Sequence, residues 1–499
     1  MYLGIDVGTS EVKVALVDDA QRLVAIGRAA LEVERPHPLW SEQDPESWSR
    51  AAGTAIAEIR AGHAAKLAAV TGIGLSGQMH GAVLLDADNR VLRPAILWND
   101  ARSAAECIEL ERRVPGSRRL TGNMAMPGFT APKLLWVASH EPEVFRRIAK
   151  VLLPKDYLRW WLCGEHVSEM SDAAGTLWLD VKARDWCDEM LAATGLARSH
   201  MPRLVEGSAA SGVLRPELAR SWGMGDGVIV AGGAGDNAAS AIGLGVVADG
   251  QAFISLGTSG VFFVANDAYR PNPDRGVHTF CHALPGLWHQ MAVMLSAASC
   301  LRWVVHLTAA ADESALVAEA FALGDEARWQ APLFLPYLSG ERTPHNDAYA
   351  QGVWFGLRHE TDRAALAYSV LEGVAFGLAD GYAALRDAGG IARSVSLTGG
   401  GSRSRPWARL IASVLGLPIA LPEGSEIGAA LGAARLGQLA ADPRATIAAV
   451  CKAPPVLATV EPVAAWAPPL QSRFQRFREL YPALRPLFFA RPPTIGEGP

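Results

Sequence analysis

Apolar and polar positions alternate in short strand-like runs at the start of this chain, then give way to a helical spacing. Residues 3–7, 12–17 and 23–26 read as three strands, with Asp18 and Asp19 supplying the turn between the last two. A helical pattern follows over about residues 45–61. Asp44 stands at its N-cap position, Pro45 in its first turn and Glu46 next. Residues 68–75 form an apolar run that predicts a buried strand, and 83–86 and 95–98 continue the strands. The same order returns past the middle of the chain. Strands are predicted at 251–256, 261–264 and 288–294, helices at about 297–307 and 364–385, a strand at 394–398 and a helix at 406–415.

Two halves with one strand–turn–strand opening fit an internal duplication. Strands that begin a half and then alternate with helices argue for an α/β fold with a mixed sheet in each half. The boundary is expected at about residues 243–249, giving halves 1–245 and 246–499 with a cleft between them. A helix over 471–480 is expected to pack on the second half, followed by a mobile tail.

The bulk numbers narrow the class. At 499 residues the chain is too long for one core, and 50% hydrophobic with 19% charged residues is ordinary for a globular enzyme. A net charge of −5 without a basic run gives no reason to expect a nucleic-acid partner or an anionic membrane. The six cysteines form no C-x-x-C pair, so zinc and redox motifs are not expected, and free thiols fit a reducing cytoplasm. The N-terminus enters a strand without a basic and apolar leader, and no run reaches the length of a membrane span.

The triplet Gly-Thr-Ser closes the first hairpin of each half, as Gly8-Thr9-Ser10 and Gly257-Thr258-Ser259. A strand that breaks into such a turn can aim amides and hydroxyls at a phosphate. For a single copy the plain reading is a hairpin turn in which Gly8 takes a positive φ. Asp6 precedes the first triplet and Ser255 aligns with it in the second, so a carboxylate stands on one side of the pseudo-symmetric pair only. Lys13 reads equally as a phosphate ligand and as a surface lysine.

Four further segments carry chemistry. Ala231-Gly-Gly-Ala-Gly-Asp236-Asn237 follows an apolar run at 227–230. Asp236 there is either a helix cap or a carboxylate held where glycines admit a ligand, able to take a hydroxyl proton. Gln78-Met79-His80 ends a strand between glycines, where α/β folds place ligands. Trp98-Asn99-Asp100 ends another; Trp98 is either a core residue or a face for a polyhydroxylated ligand. Thr398-Gly399-Gly400-Gly401-Ser402-Arg403 lies between a strand and a helix and matches neither a dinucleotide fingerprint nor a P-loop.

Together Asp6 to Ser10, Gly235-Asp236-Asn237, Ser255 to Ser259 and Thr398 to Gly401 resemble the FGGY carbohydrate kinases of the actin/Hsp70/hexokinase fold. Met126 to Trp136, and Gly352 to Leu357 with Leu371-Glu372, are similar to that family's signatures. The resemblance covers about residues 1–440. It implies duplicated ribonuclease-H-like, actin-like ATPase domains and transfer of the γ-phosphate of ATP to a sugar hydroxyl. Ser76 to Gly81, Ile96 to Asp100 and Pro336 to Pro344 resemble the branch acting on the 5-hydroxyl of D-xylulose, within xylose catabolism. Sister kinases for ribulose, gluconate or glycerol are the alternative, and after them a non-catalytic sensor of the same fold.

By that resemblance Asp236 is the general base. Gln78, Met79, His80, Trp98, Asn99, Asp236 and Asn237 hold the sugar. Asp6 positions Mg²⁺. Gly8, Thr9, Ser10, Gly257 and Thr258 flank the phosphates, and Gly399, Gly400 and Arg403 the adenosine. Trp303 is expected on the nucleotide side. A homodimer is compatible with this reading.

Overall fold

Two seven-stranded mixed sheets organise the chain. The computed structural model describes residues 1–424 and 427–488. The first sheet contains β1 (Tyr2–Val7), β2 (Glu11–Val17), β3 (Leu23–Ala30), β4 (Gly72–Gly77), β5 (Ala210–Val213), β6 (Ile229–Ala231) and β7 (Ala234–Gly235). Its order is β5-β6-β4-β1-β2-β3, with β7 paired to β4. The second contains β8 (Gln251–Leu256), β9 (Gly260–Asn266), β10 (His278–Cys281), β11 (Trp288–Met294), β12 (Ser394–Thr398), β13 (Ile419–Pro422) and β14 (Val456–Val460), in the order β10-β11-β9-β8-β12-β13-β14.

Six strands of each sheet correspond in order, β3-β2-β1-β4-β6-β5 with β11-β9-β8-β12-β13-β14, leaving β7 and β10 without a counterpart. β1 pairs antiparallel with β2 and parallel with β4; β8 pairs antiparallel with β9 and parallel with β12. The duplication expected from the repeated turn is therefore a duplication of topology. The turns themselves differ. Val7 pairs with Val12 across the first, whereas Leu256 pairs with Gly260 across the second, one residue sooner.

Helices α1 (Pro45–Leu67), α2 (Asp236–Leu244), α3 (Ala298–Leu307), α4 (Arg363–Asp387), α5 (Gly428–Ala441) and α6 (Ala467–Leu484) cover or join the sheets. The start of α1 is the expected one: Asp44 accepts the Glu46 amide at 3.0 Å and Pro45 opens the helix. The helix runs on to Leu67, so β4 starts at Gly72, later than the 68–75 pattern predicts. The run at 227–230 likewise becomes a strand only at Ile229. The predicted 471–480 helix lies within α6. The expected tail beyond residue 488 lies outside the described residues.

Each half has its own core. Ile5, Val7, Val14 and Leu75 pack with Trp48 and Ile56 of α1 in the first. Ile254, Phe262 and Leu397 pack with Val374 and Phe376 of α4 in the second. Full burial of such a side chain is worth about 1.5–3 kcal/mol. A third cluster belongs to both halves. Met79, Phe129 and Trp178 pack with Phe253, Phe263 and Phe280.

α5 comes late in the chain yet packs on the first sheet. A Cβ built on Gly4 of β1 would lie 1.8 Å from the Ala430 carbonyl oxygen, and one on Gly74 of β4 1.7 Å from that of Ala433. Glycine at these two positions is what lets a helix backbone rest directly on strand backbone. Buried Arg435 of α5 donates to the Ile242 and Gly243 carbonyls at 2.8 and 3.0 Å, satisfying the C-terminal end of α2.

Candidate active site

A cavity of about 220 Å³ opens between the two sheets, lined by Asp6, Lys13, Asn237, Ser240, Ser255, Thr398 and Gly399 among others. Asp6 and Ser255, the aligned pair of the two copies, both line it. Their supports are related too. Register places Ser76 of β4 beside Asp6 and Thr398 of β12 beside Ser255. Ser76 donates its hydroxyl to Asp6 Oδ1 at 2.9 Å. Burial holds the Asp6 carboxyl above the ordinary carboxylate range, against the pull of that bond and of Lys13.

Asp236 is the first residue of α2, and Gly235, not Asp236, is the N-cap. Asp236 therefore sits one position inside the helix rather than at its cap, and its side chain still serves a first-turn amide. Its Oδ1 accepts from the Asn237 amide at 2.6 Å and from Asn237 Nδ2 at 3.0 Å. Burial, then the charge of Asp6, push its carboxyl up to about 6 against those two bonds. Two buried carboxyls held above their ordinary range, one of them partly by the charge of the other, mark a place where a cation or a transferable proton is favoured.

Gln78, Thr9 and Trp98 form a chain of hydrogen bonds. Trp98 Nε1 donates to Thr9 Oγ1 at 3.0 Å, and Thr9 Oγ1 donates to Gln78 Oε1 at 3.1 Å. Gln78 Nε2 then donates to Gln43 Oε1 at 2.9 Å, which also accepts from buried Trp48 at 3.1 Å. Trp98 is 46% exposed, so the core reading of this indole is set aside. Asn99 beside it is exposed. Asp100 is buried against Arg102 at 2.7 Å and the Ser41 amide at 2.7 Å, and holds this turn in place.

His80 has a φ of 68°. Its Nδ1 lies 2.6 Å from the Gly175 carbonyl oxygen, which makes Nδ1 the protonated nitrogen. Burial lowers its pKa to about 3, so the ring is neutral. It packs edge-on to Phe129 at 4.6 Å, with Phe280 of the second half at 6.1 Å. Buried Lys133 donates to the His80 carbonyl at 2.8 Å. Met79 lies against Gly235, where a Cβ would come within 2.9 Å of its sulfur. Met79 and His80 thus approach the Asp236 loop.

The first turn departs from the expectation at Gly8. Gly8 does not take a positive φ, and its amide donates to Glu11 O at 3.0 Å within the turn. The Gly257 amide donates to Ser259 O at 3.0 Å. The carbonyls of Gly257 and Thr258 receive the Ala298 and Ala297 amides, both at 2.9 Å, docking this turn on the start of α3. Ser10 is exposed. Gly399 has a φ of 84°, and a Cβ there would lie 2.7 Å from Leu256 O. Gly400 and Arg403 are exposed beside it. Trp303 packs into the second half, 5.1 Å from Trp354 and 5.9 Å from Phe334.

The residues to which the sequence analysis gave no role are Ser76, Gln43, Lys133 and Phe280. Ser76 and Lys133 lie within quoted motif segments, and the role of Ser76 shows only through its register with Asp6. Gln43 carried no signal.

The chain resembles known proteins over nearly its whole length. Residues 1–243 match the model described as the FGGY family of carbohydrate kinases, N-terminal domain, and residues 252–441 match its C-terminal domain. The chain is 53% identical over 487 residues to a xylulose kinase of Escherichia coli (strain K12), covering 98% of this chain and 100% of the relative. A solved xyloylose kinase of Brucella ovis superposes with a TM-score of 0.93 at 55% identity, over 97% of this chain and 99% of that one. A xylulose kinase of Rhodospirillum rubrum gives 0.91 at 30% identity, over 98% and 100%.

Proposed function

Because the chain belongs to the FGGY family of carbohydrate kinases, we propose a route for its reaction through the cavity shared by its two halves. The reaction is ATP-dependent phosphorylation of D-xylulose, as the near-full-length relatives indicate. Asp236 is the base. Its Oδ1 is held by both nitrogens of Asn237, which leaves Oδ2 for the proton of the sugar 5-hydroxyl as that oxygen attacks phosphorus. A carboxyl poised at about 6 is ionised at neutral pH yet close enough to accept that proton.

Met79, neutral His80 and Asn237 shape the sugar site. Trp98 offers a face to the sugar, oriented by Thr9 and Gln78, with Asn99 at the rim. Gly8, Thr9, Ser10, Gly257 and Thr258 lie on the phosphate side, and Gly399, Gly400 and Arg403 on the adenosine side. Asp6 fits a Mg²⁺ carried in with the nucleotide. Such an ion keeps most of its waters and needs one or two carboxylates, and among the described residues no cluster of three ligating side chains forms an all-protein cage. When bound, the ion neutralises charge developing on the phosphoryl oxygens. Closing the cleft around the sugar excludes water as a rival acceptor.

The observation that carries this reading is that Asp6, Asn237, Ser255 and Gly399, from both halves, line one cavity. A coupled ATP-consumption assay over a panel of sugars tests it; preference for ribulose, gluconate or glycerol over D-xylulose would reject it. We also place the enzyme in the cytoplasm, since the described cysteines are all unpaired. A homodimer is the assembly proposed with this reading, which sedimentation analysis checks.

A further inference from the structure

The loop that carries Asp236 rests on a cluster of ionisable side chains that the reaction above does not use. Lys155, Asp156, Arg159, Glu169 and Asp172 have no exposed surface. Lys155 Nζ lies 2.6 Å from Asp156, 3.6 Å from Glu169 and 3.4 Å from Asp172, and Arg159 lies 2.7 Å from Asp156. Burial, more than any neighbour, raises the Asp172 carboxyl well above the ordinary range. A buried ionic cluster is a poor source of stability compared with apolar packing, so its use is sought in what it fixes.

Two bonds lead from the cluster to the loop. Arg159 donates to the Gly232 carbonyl at the loop's start. Glu169 caps the short helix Met170–Ala173 and accepts the Ser171 hydroxyl at 2.9 Å. Ser171 Oγ in turn accepts the Gly235 amide at 3.0 Å, one residue before Asp236. On the opposite side the loop has no slack, because Met79 fills the space against Gly235.

We infer that Ser171, oriented by Glu169 and anchored through it to Lys155, is a positioning residue that fixes the Gly235 amide and so sets the direction of the Asp236 carboxylate. This rests on Asp236 being the base. Misplacement of a reacting group by about 1 Å can cost on the order of 10²-fold in rate.

The test uses the whole enzyme with D-xylulose and ATP. Ser171→Val and Ser171→Thr have nearly the same shape and differ in the hydroxyl. Ser171→Val is expected to lower kcat by about 10–100-fold with the D-xylulose KM within about threefold, and Ser171→Thr to restore most of kcat. In an Asp236→Asn background, Ser171→Val should cause no further loss of the residual turnover, since it acts through that carboxylate. Equal losses in the Val and Thr variants, wild-type kcat in Ser171→Val, or a full additional loss in the Asp236→Asn background would each overturn the inference. If Asp236→Asn alone stays within tenfold of wild type, the base assignment fails and this inference with it.

Discussion

At the residue scale the site depends on carboxylates kept in a state that folding alone would not choose. The Asp236 carboxyl titrates at about 6 in the folded chain, above its ordinary range, so the folded state is favoured as pH falls through that value and penalised above it. Asp236→Asn should therefore raise stability at pH 7.5 by about 1–2 kcal/mol while lowering kcat by about 10²–10⁴-fold. Thermal melts beside turnover assays measure both, and a lower melting temperature would contradict the electrostatic account. The same value gives the acid limb of activity. kcat/KM should fall about tenfold per pH unit below about 6 as Asp236 takes a proton, and a flat profile down to pH 5 would remove its ionisation from the rate. Trp98 can be tested alone. Trp98→Phe keeps an aromatic face but loses the bond to Thr9, worth about 1 kcal/mol, so the sugar KM should rise several-fold with kcat nearly unchanged.

At the element scale, what could be read in advance was local. The strands at 251–256, 288–294 and 394–398 were expected from apolar runs and match Gln251–Leu256, Trp288–Met294 and Ser394–Thr398. Asp6, Asp236 and Ser255 stood out because each is a polar residue at the end of an apolar run beside glycines. What was not readable depends on partners distant in the chain. Ser76 meets Asp6 only through the register of β1 and β4, and Ser171 meets Gly235 only because Met170–Ala173 lies against β7. The seat of α5 on β1 and β4 also escaped, since glycines in a strand look like weak strand formers until a helix rests on them. Gly74→Ala tests that seat. Its methyl would meet helix backbone, with no side chain to turn aside, so a loss of about 3 kcal/mol or more is expected in urea unfolding.

At the scale of the whole molecule, the halves are interlocked. α5, from late in the chain, closes one face of the first sheet, and the cluster around Met79, Phe253 and Phe280 joins both sides of the cleft. Closure around a sugar must work against that shared core rather than about a bare linker. A fragment of residues 1–245 keeps every strand of the first sheet but lacks α5. It is expected to show no cooperative unfolding by circular dichroism, and a sharp melt comparable to the full chain would refute the interlock.

That late helix also sets an order of events on the ribosome. Domains generally fold N-terminal first, as the chain emerges at about 5–20 residues per second. Here the first sheet must wait with the glycine-lined face of β1 and β4 uncovered until residues 428–441 are synthesised, a delay on the order of ten seconds or more. Through that interval the nascent first half carries an unfinished apolar surface, which makes the growing chain a natural client for a holding chaperone and ties the completion of the Asp6 strand's surroundings to nearly complete translation.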